Sequence, residues 1–110
     1  MEVIKLGSKE SLIVPLKDRL NNITTLASVT NLKFDTKKKM DDSAAESNKT
    51  IALDVDNPMW AICEIDASGS LYDAADDAAG ETGEYKLYVK YTAGTEAPIL
   101  GPIFFRVEDD

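Results

Sequence analysis

Period-two alternation of apolar and polar residues is strongest in the last quarter of the chain, from Gly83 to Val107. Tyr85, Leu87, Val89 and Tyr91 share one face of an extended segment, while Glu84, Lys86 and Lys90 share the other. This is the pattern of a half-buried antiparallel strand. Thr92-Ala93-Gly94-Thr95-Glu96 follows as a turn, with Gly94 able to take the positive φ that a tight reversal needs. The chain then returns through Ile99 to Val107, placing Ile103, Phe105 and Val107 on one side. The expectation is a β-hairpin against which the rest of the chain packs.

Earlier segments repeat the pattern more weakly. Val3 to Leu6 predicts a short strand or an arm. Leu12, Val14 and Leu16 alternate with Ser11, Ile13 and Pro15, and a proline that cannot donate to a ladder marks an edge strand or one that switches sheets. Lys17 to Asn22 reads as a reversal, and an extended stretch from about Thr25 to Phe34 directs Leu32 and Phe34 to the core. Asp35 to Lys49 has Met40 as its one large apolar residue and reads as a long polar loop. A helix over Asp41 to Ser47 lacks an apolar stripe. Ile51, Leu53 and Val55 predict another strand, stopped by Asp56-Asn57-Pro58. Met59 to Ile65 is apolar on both faces, so it belongs in the middle of a sheet or has its outer face against a partner. After a turn at Asp66 to Gly69, Ser70 to Thr82 is a second long polar loop. The whole predicts an all-β fold, a single antiparallel immunoglobulin-like β-sandwich of about six or seven strands. Residues 1–10 form an arm or short edge strand, 11–108 the sandwich and 109–110 an acidic tail. Met1 to Ser8 and Glu108 to Asp110 are expected to be free to reach neighbouring subunits.

Composition narrows the function classes. At 110 residues the chain is one domain, and 44% apolar content suits a packed core. Twenty acids against twelve bases give a net charge of −8 and a pI near 4.4, which disfavours nucleic acid and anionic membranes as partners. Lys37-Lys38-Lys39 lies beside Asp41 and Asp42 and is expected to be a solvated turn. No apolar run approaches the ~20 residues of a membrane-spanning helix, and the N-terminus has no secretion-signal pattern. Asn22-Ile23-Thr24 and Asn48-Lys49-Thr50 match a glycosylation sequon that has no consequence without a secretory route.

Candidate chemistry is sparse. Cys63 is the only cysteine and the chain has no histidine, so the thiol is expected to be a buried hydrophobe rather than a nucleophile. Between Asp73 and Glu84 there are five acids and no base. Asp73, Asp76 and Asp77, with Asp66 and Glu81, offer hard oxygens for calcium, but their spacing is not that of a helix-loop-helix calcium loop. A solvated loop is the expectation, with no cofactor. Paired carboxylates without a pocket carry no acid–base inference, and Gly80 to Gly83 precedes a strand rather than a phosphate-cradling helix. Trp60 and Tyr85 read as core, together with Leu87, Val89, Tyr91, Phe105 and Val107. For Trp60 this implies a cost of about 3–5 kcal/mol on truncation to alanine. Tyr88 and Phe104 fall on the outer faces of their strands beside Pro98 and Pro102, with Lys90 and Arg106. They form either a protein-contact patch or a surface that a long loop covers.

The order of these features resembles a family of small bacteriophage virion modules, immunoglobulin-like sandwiches of baseplate, tail, neck and head-surface proteins. An apolar strand ends in an aspartate-bearing turn (Leu12 to Asp18), and a leucine-led strand (Leu26 to Phe34) and a variable loop follow. Then come a D-x-x-G turn (Asp66 to Gly69), an acidic-alanine stretch with G-x-Y (Asp73 to Tyr85), and two closing strands (Leu87 to Val107). Tyr85 and Trp60 are similar to the tyrosine and tryptophan of immunoglobulin-type sandwiches, with Leu87 where a second cysteine would stand. The likeness spans about residues 11–108. It implies a non-enzymatic virion structural protein that packs against copies of itself and other virion proteins, in a neck, tail or baseplate. Capsid-surface decoration is the next expectation. A host-surface carbohydrate-binding module would instead use loop residues such as Tyr72, Asp76 and Asp77.

Overall fold

Eight strands and no helix make up the regular structure of the described residues, which are 2–15, 30–54, 56, 60–75, 80, 82–92, 97 and 99–109 of the computed structural model. They are β1 Glu2–Lys5, β2 Lys9–Pro15, β3 Thr30–Lys38, β4 Ala44–Thr50, β5 Ala52–Leu53, β6 Trp60–Asp66, β7 Glu84–Thr92 and β8 Ile99–Glu108. A five-stranded sheet has the order β1-β8-β7-β3-β4 and a three-stranded sheet the order β2-β6-β5. Their inward side chains share one core, to which Leu12, Val14, Ala61, Cys63 and Ile65 come from the smaller sheet and Phe34, Leu87, Val89, Phe105 and Val107 from the larger.

The closing hairpin forms as its alternation predicts. Tyr85 lies opposite Phe105 and Leu87 opposite Ile103, and the register then shifts so that Val89 meets Leu100. Gly101 sits in that irregularity at φ +126°, where a Cβ would come within 2.7 Å of the Leu87 carbonyl oxygen. Only glycine avoids both the strain and the clash. Of the turn predicted between the two strands, Ala93 to Glu96 lies outside the described residues, as does Pro98. On the N-terminal side of β7, Gly83 takes φ +87° with a would-be Cβ 2.3 Å from Ala75 backbone atoms. That close approach lets the 72–75 segment run along the core edge, where Ala75 N–H donates to Val107 O at 2.7 Å. Tyr85 stacks on Phe105 there and Tyr72 meets Tyr85 edge-on, with ring centroids 4.8 to 6.1 Å apart among the three.

Several expectations are corrected. Asp35 to Lys49 is not a loop: β3 runs on to Lys38, the chain reverses through Lys39 to Ser43, and β4 returns antiparallel to it. Beyond Phe34, the buried inward positions of this pair are the polar Thr36 and Glu46, so over 35–49 the apolar alternation that marks a strand is missing although the geometry is present. Lys37 and Lys38 accordingly belong to β3 and not to a turn. Trp60 is 39% exposed, because β6 directs Ala61, Cys63 and Ile65 inward and Trp60, Ile62 and Glu64 to the other side. The sheets are also not purely antiparallel, since β1 pairs parallel with β8 in the register Ile4 to Val107. Ile4 is buried and Leu6 N–H donates to Glu108 O at 2.8 Å, so Glu2–Lys5 is the short edge strand of the two expectations and not an arm free to reach a neighbour. Strand β2 lies at a sheet edge and ends on Pro15.

Truncation should separate the two aromatic classes. Phe105→Ala, which empties a fully buried site, is expected to cost about 3–5 kcal/mol. Trp60→Ala is expected to cost about 1 kcal/mol or less. Urea unfolding of both variants checks this, and equal losses would return Trp60 to the core.

Candidate functional site

The interface candidates Tyr88, Phe104, Lys90 and Arg106 come together on the outer face of the five-stranded sheet. Strand register sets Lys90 beside Lys33, Tyr88 beside Asp35 and Lys86 beside Lys37 on one flank. On the other flank Lys86 meets Phe104 and Glu84 meets Arg106. The aromatic patch exists, but lysines roof it. Lys37 Nζ lies 5.7 Å from the Tyr88 ring centroid and Lys39 Nζ 5.7 Å from that of Phe104, both within cation–π range. Ion pairs hold the lattice in place: Lys90 with Asp35 at 2.9 Å, Lys39 with Glu84 at 3.4 Å and Lys86 with Asp42. Burial pushes the Asp35 carboxyl up, but the Asn48 N–H and the Lys90 ammonium outweigh it and leave the pKa below its ordinary value. Arg106 Nε donates to Glu108 at 3.1 Å. Phe104 is 40% and Ile99 67% exposed, so apolar surface remains open between the charges.

The outer face of the three-stranded sheet carries a second apolar patch. Ile13 faces Ile62 across β2 and β6, with Trp60 on the same side of β6 and Ile13 53% exposed. Glu64 stands next along the strand. Because β5 has two residues, it leaves an open groove of about 480 Å³ between the sheets, lined by Ser11, Ala52, Ile62 and Glu64 on one side and Phe34, Asn48, Lys49 and Thr50 on the other. The double-sided apolar run Met59 to Ile65 was the signal for this patch. The lysine lattice was legible in the spacing of Lys33, Asp35, Lys37 and Lys39, which alternate with period two, once that segment is recognised as a strand.

A buried carboxylate ties the two sheets together. Glu46, 2% exposed on β4, accepts through Oε1 from the Tyr72 hydroxyl at 2.5 Å and from the Asp66 N–H at 3.1 Å. The Thr36 and Tyr72 hydroxyl oxygens are 2.6 Å apart, and Thr36 Oγ1 accepts the Glu46 N–H at 3.0 Å. Since Tyr72 gives its proton to Glu46, Thr36 donates to Tyr72. Oε2 has no hydrogen bond among the described residues, and its nearest charge is Lys49 Nζ at 3.9 Å. Burial, and then the Glu46 carboxylate, raise the Tyr72 pKa, so this phenol stays protonated. No signal in the sequence separates Glu46 from its exposed neighbours.

The remaining candidates are accounted for singly. Asp73 pairs with Lys38 at 3.1 Å, and its N–H donates to the Tyr85 hydroxyl at 2.7 Å. Asp76, Asp77 and Glu81 lie outside the described residues. Among the described residues no group of three or more acids, cysteines or histidines is placed to hold a metal ion. Tyr72 is buried, which removes it from any glycan-binding loop surface and corrects that expectation. Cys63 is buried and free, and desolvation pushes its thiol up to about 12. Leu87, Val89, Tyr91 and Val107 are buried beside Tyr85 and Phe105. Comparisons with protein-family models, with curated proteins and with solved structures returned no match for this chain.

Three measurements test this chemistry. Tyr72→Phe leaves Glu46 and Thr36 short of a buried partner and is expected to cost about 1–3 kcal/mol in denaturant unfolding. A loss near zero would mean that water replaces the hydroxyl. The Cys63 thiol should resist a thiol reagent at neutral pH in the native protein and react fully in denaturant. Folding raises its pKa from 9.0 to about 12, so the unfolded chain ionises first on alkalinisation. The Cys63 contribution to stability is intact below about pH 9 and declines from there to about pH 12, which the pH dependence of thermal unfolding, compared with Cys63→Ala, reads out.

Proposed function

We propose that this chain is a non-enzymatic structural component of a bacteriophage virion, in the neck, tail or baseplate. It would act by packing against copies of itself and against other virion proteins. The observation that carries this is the surface. Both outer sheet faces expose large apolar side chains set among charges, namely Phe104 and Ile99 on one and Ile13 and Trp60 on the other. Surfaces of this composition suit protein contacts. Cys63 is buried and holds its proton and the chain has no histidine, so a cysteine–histidine pair has no part in this reading.

The immunoglobulin-like part of the proposal draws support from strand order. The sequence β8-β7-β3 with β4 beyond it corresponds to a G-F-C-C′ sheet, and β2-β6-β5 corresponds to B-E-D. Tyr85 stands two residues before Leu87 at the start of β7, with its hydroxyl bonded to the backbone at Asp73, as in a tyrosine corner. In this alignment the core aromatic on the C strand is Phe34 rather than Trp60.

Mass spectrometry and antibody–gold labelling of purified phage particles test the proposal. Stoichiometric presence with gold at the neck, tail or baseplate is expected. Gold on the head would move the protein to capsid-surface decoration, and its absence from particles despite expression in infected cells would end the virion assignment.

A further inference from the structure

The two outer faces differ in charge as well as in direction. On the larger sheet Lys33, Lys37, Lys39, Lys86, Lys90 and Arg106 are six of the twelve cations of the chain. Among the described residues these six stand with four acids, Asp35, Glu84, Asp42 and Glu108. This set with a surplus of two positive charges belongs to a chain whose total is −8, so the rest of the molecule is more acidic than its net charge indicates. Among the described residues of the smaller sheet and its margin, Glu64, Asp66, Asp54 and Asp56 outnumber Lys9 and Lys49. Each face has an apolar centre: Tyr88, Phe104 and Ile99 on the basic side, Ile13, Trp60 and Ile62 on the acidic side.

Resting on the packing role above and naming its partner, we infer that copies of this chain stack front to back. The lysine–aromatic face of one copy receives the acidic–apolar face of the next. A front-to-front contact sets lysines against lysines and a back-to-back contact sets acids against acids, whereas front-to-back contact matches opposite charge around apolar centres. Nucleic acid fits the basic face less well. A duplex presents one negative charge per ~1.7 Å, and it would meet Asp35 and Glu84 within the lysine lattice and the net repulsion of the whole chain. The front-to-back contact is heterologous, so it closes into a ring or continues as a column, according to the rotation between copies.

Sedimentation velocity of the full chain tests this at ~1 mM subunit, where weak contacts are populated. A series of oligomers is expected at low salt. It should collapse to monomer in ~1 M salt, where screening acts within ~3 Å. Lys33→Glu/Lys37→Glu disables the front and Glu64→Lys/Trp60→Ser the back, and each variant alone should be monomeric. Mixed, they should give a dimer and nothing larger, because one intact front and one intact back remain. Thermal unfolding checks that both variants fold, and if Trp60→Ser perturbs folding then Glu64→Lys alone carries the back-face arm. A wild-type chain that stays monomeric, association lost in only one of the two variants, or a mixture that stays monomeric overturns the inference. So does tight binding of a short DNA duplex that Lys33→Glu/Lys37→Glu abolishes. A monomeric chain that is nevertheless found in particles would sink front-to-back stacking and leave the virion role standing, and the reverse pattern would do the opposite.

Discussion

The fold depends on the buried Glu46 carboxylate and the hydroxyls that hold it. Glu46 belongs to the larger sheet, the N–H of Asp66 to the smaller, and Tyr72 to the segment that closes the edge of the core between them. An ionised group in an apolar interior is costly unless its acceptors are filled. One oxygen is filled twice, and the other keeps only the distant Lys49 ammonium. Such a network adds little net stability over a well-packed apolar substitute, but removing any one member leaves the others exposed to the full desolvation cost. It therefore specifies how the β3–β4 pair sits over β6 more than it strengthens the core.

The same network explains how an acidic chain comes to present a basic face. With Thr36 and Glu46 turned inward, Lys33, Asp35, Lys37 and Lys39 must turn outward with the period of the strand. Strand β7 supplies Lys86 and Lys90 in register beside them. Acids on the strands pair with these lysines, and the surplus of acid is carried elsewhere. Tyr88 and Phe104 lie under lysine ammonium groups, so their rings are held in place while the apolar edge of the sheet at Ile99 stays open.

Where sequence and structure diverge, one cause recurs. Alternation identifies a strand when the inward side chains are apolar, as for Tyr85, Leu87, Val89 and Tyr91 or for Leu12 and Val14. It is silent when the inward side chains are polar and mutually bonded, so Ala44–Thr50 reads as loop and Lys37 as turn. It is ambiguous when both faces are apolar. From Met59 to Ile65 the pattern cannot say which side is the core, and it assigns Trp60, the largest residue, to the inside. Register decides otherwise, because Ala61, Cys63 and Ile65 are the set that meets Leu12 and Val14 inward.

By itself the sequence determined the all-β class and the closing hairpin, limited the Pro15 strand to an edge or a switch between sheets, and marked Cys63 as a buried hydrophobe, since each follows from local periodicity or from the chemistry of a single residue. The placement of Tyr88, Phe104, Lys90 and Arg106 on an outer face was also legible, as it follows from strand parity. Tertiary structure alone decided the parallel seat of Glu2–Lys5 on β8, the burial of Glu46 and Tyr72, the exposure of Trp60 and the segregation of charge between two opposite faces. These depend on which strands are neighbours, and pairing between residues far apart in the chain leaves no trace in local pattern.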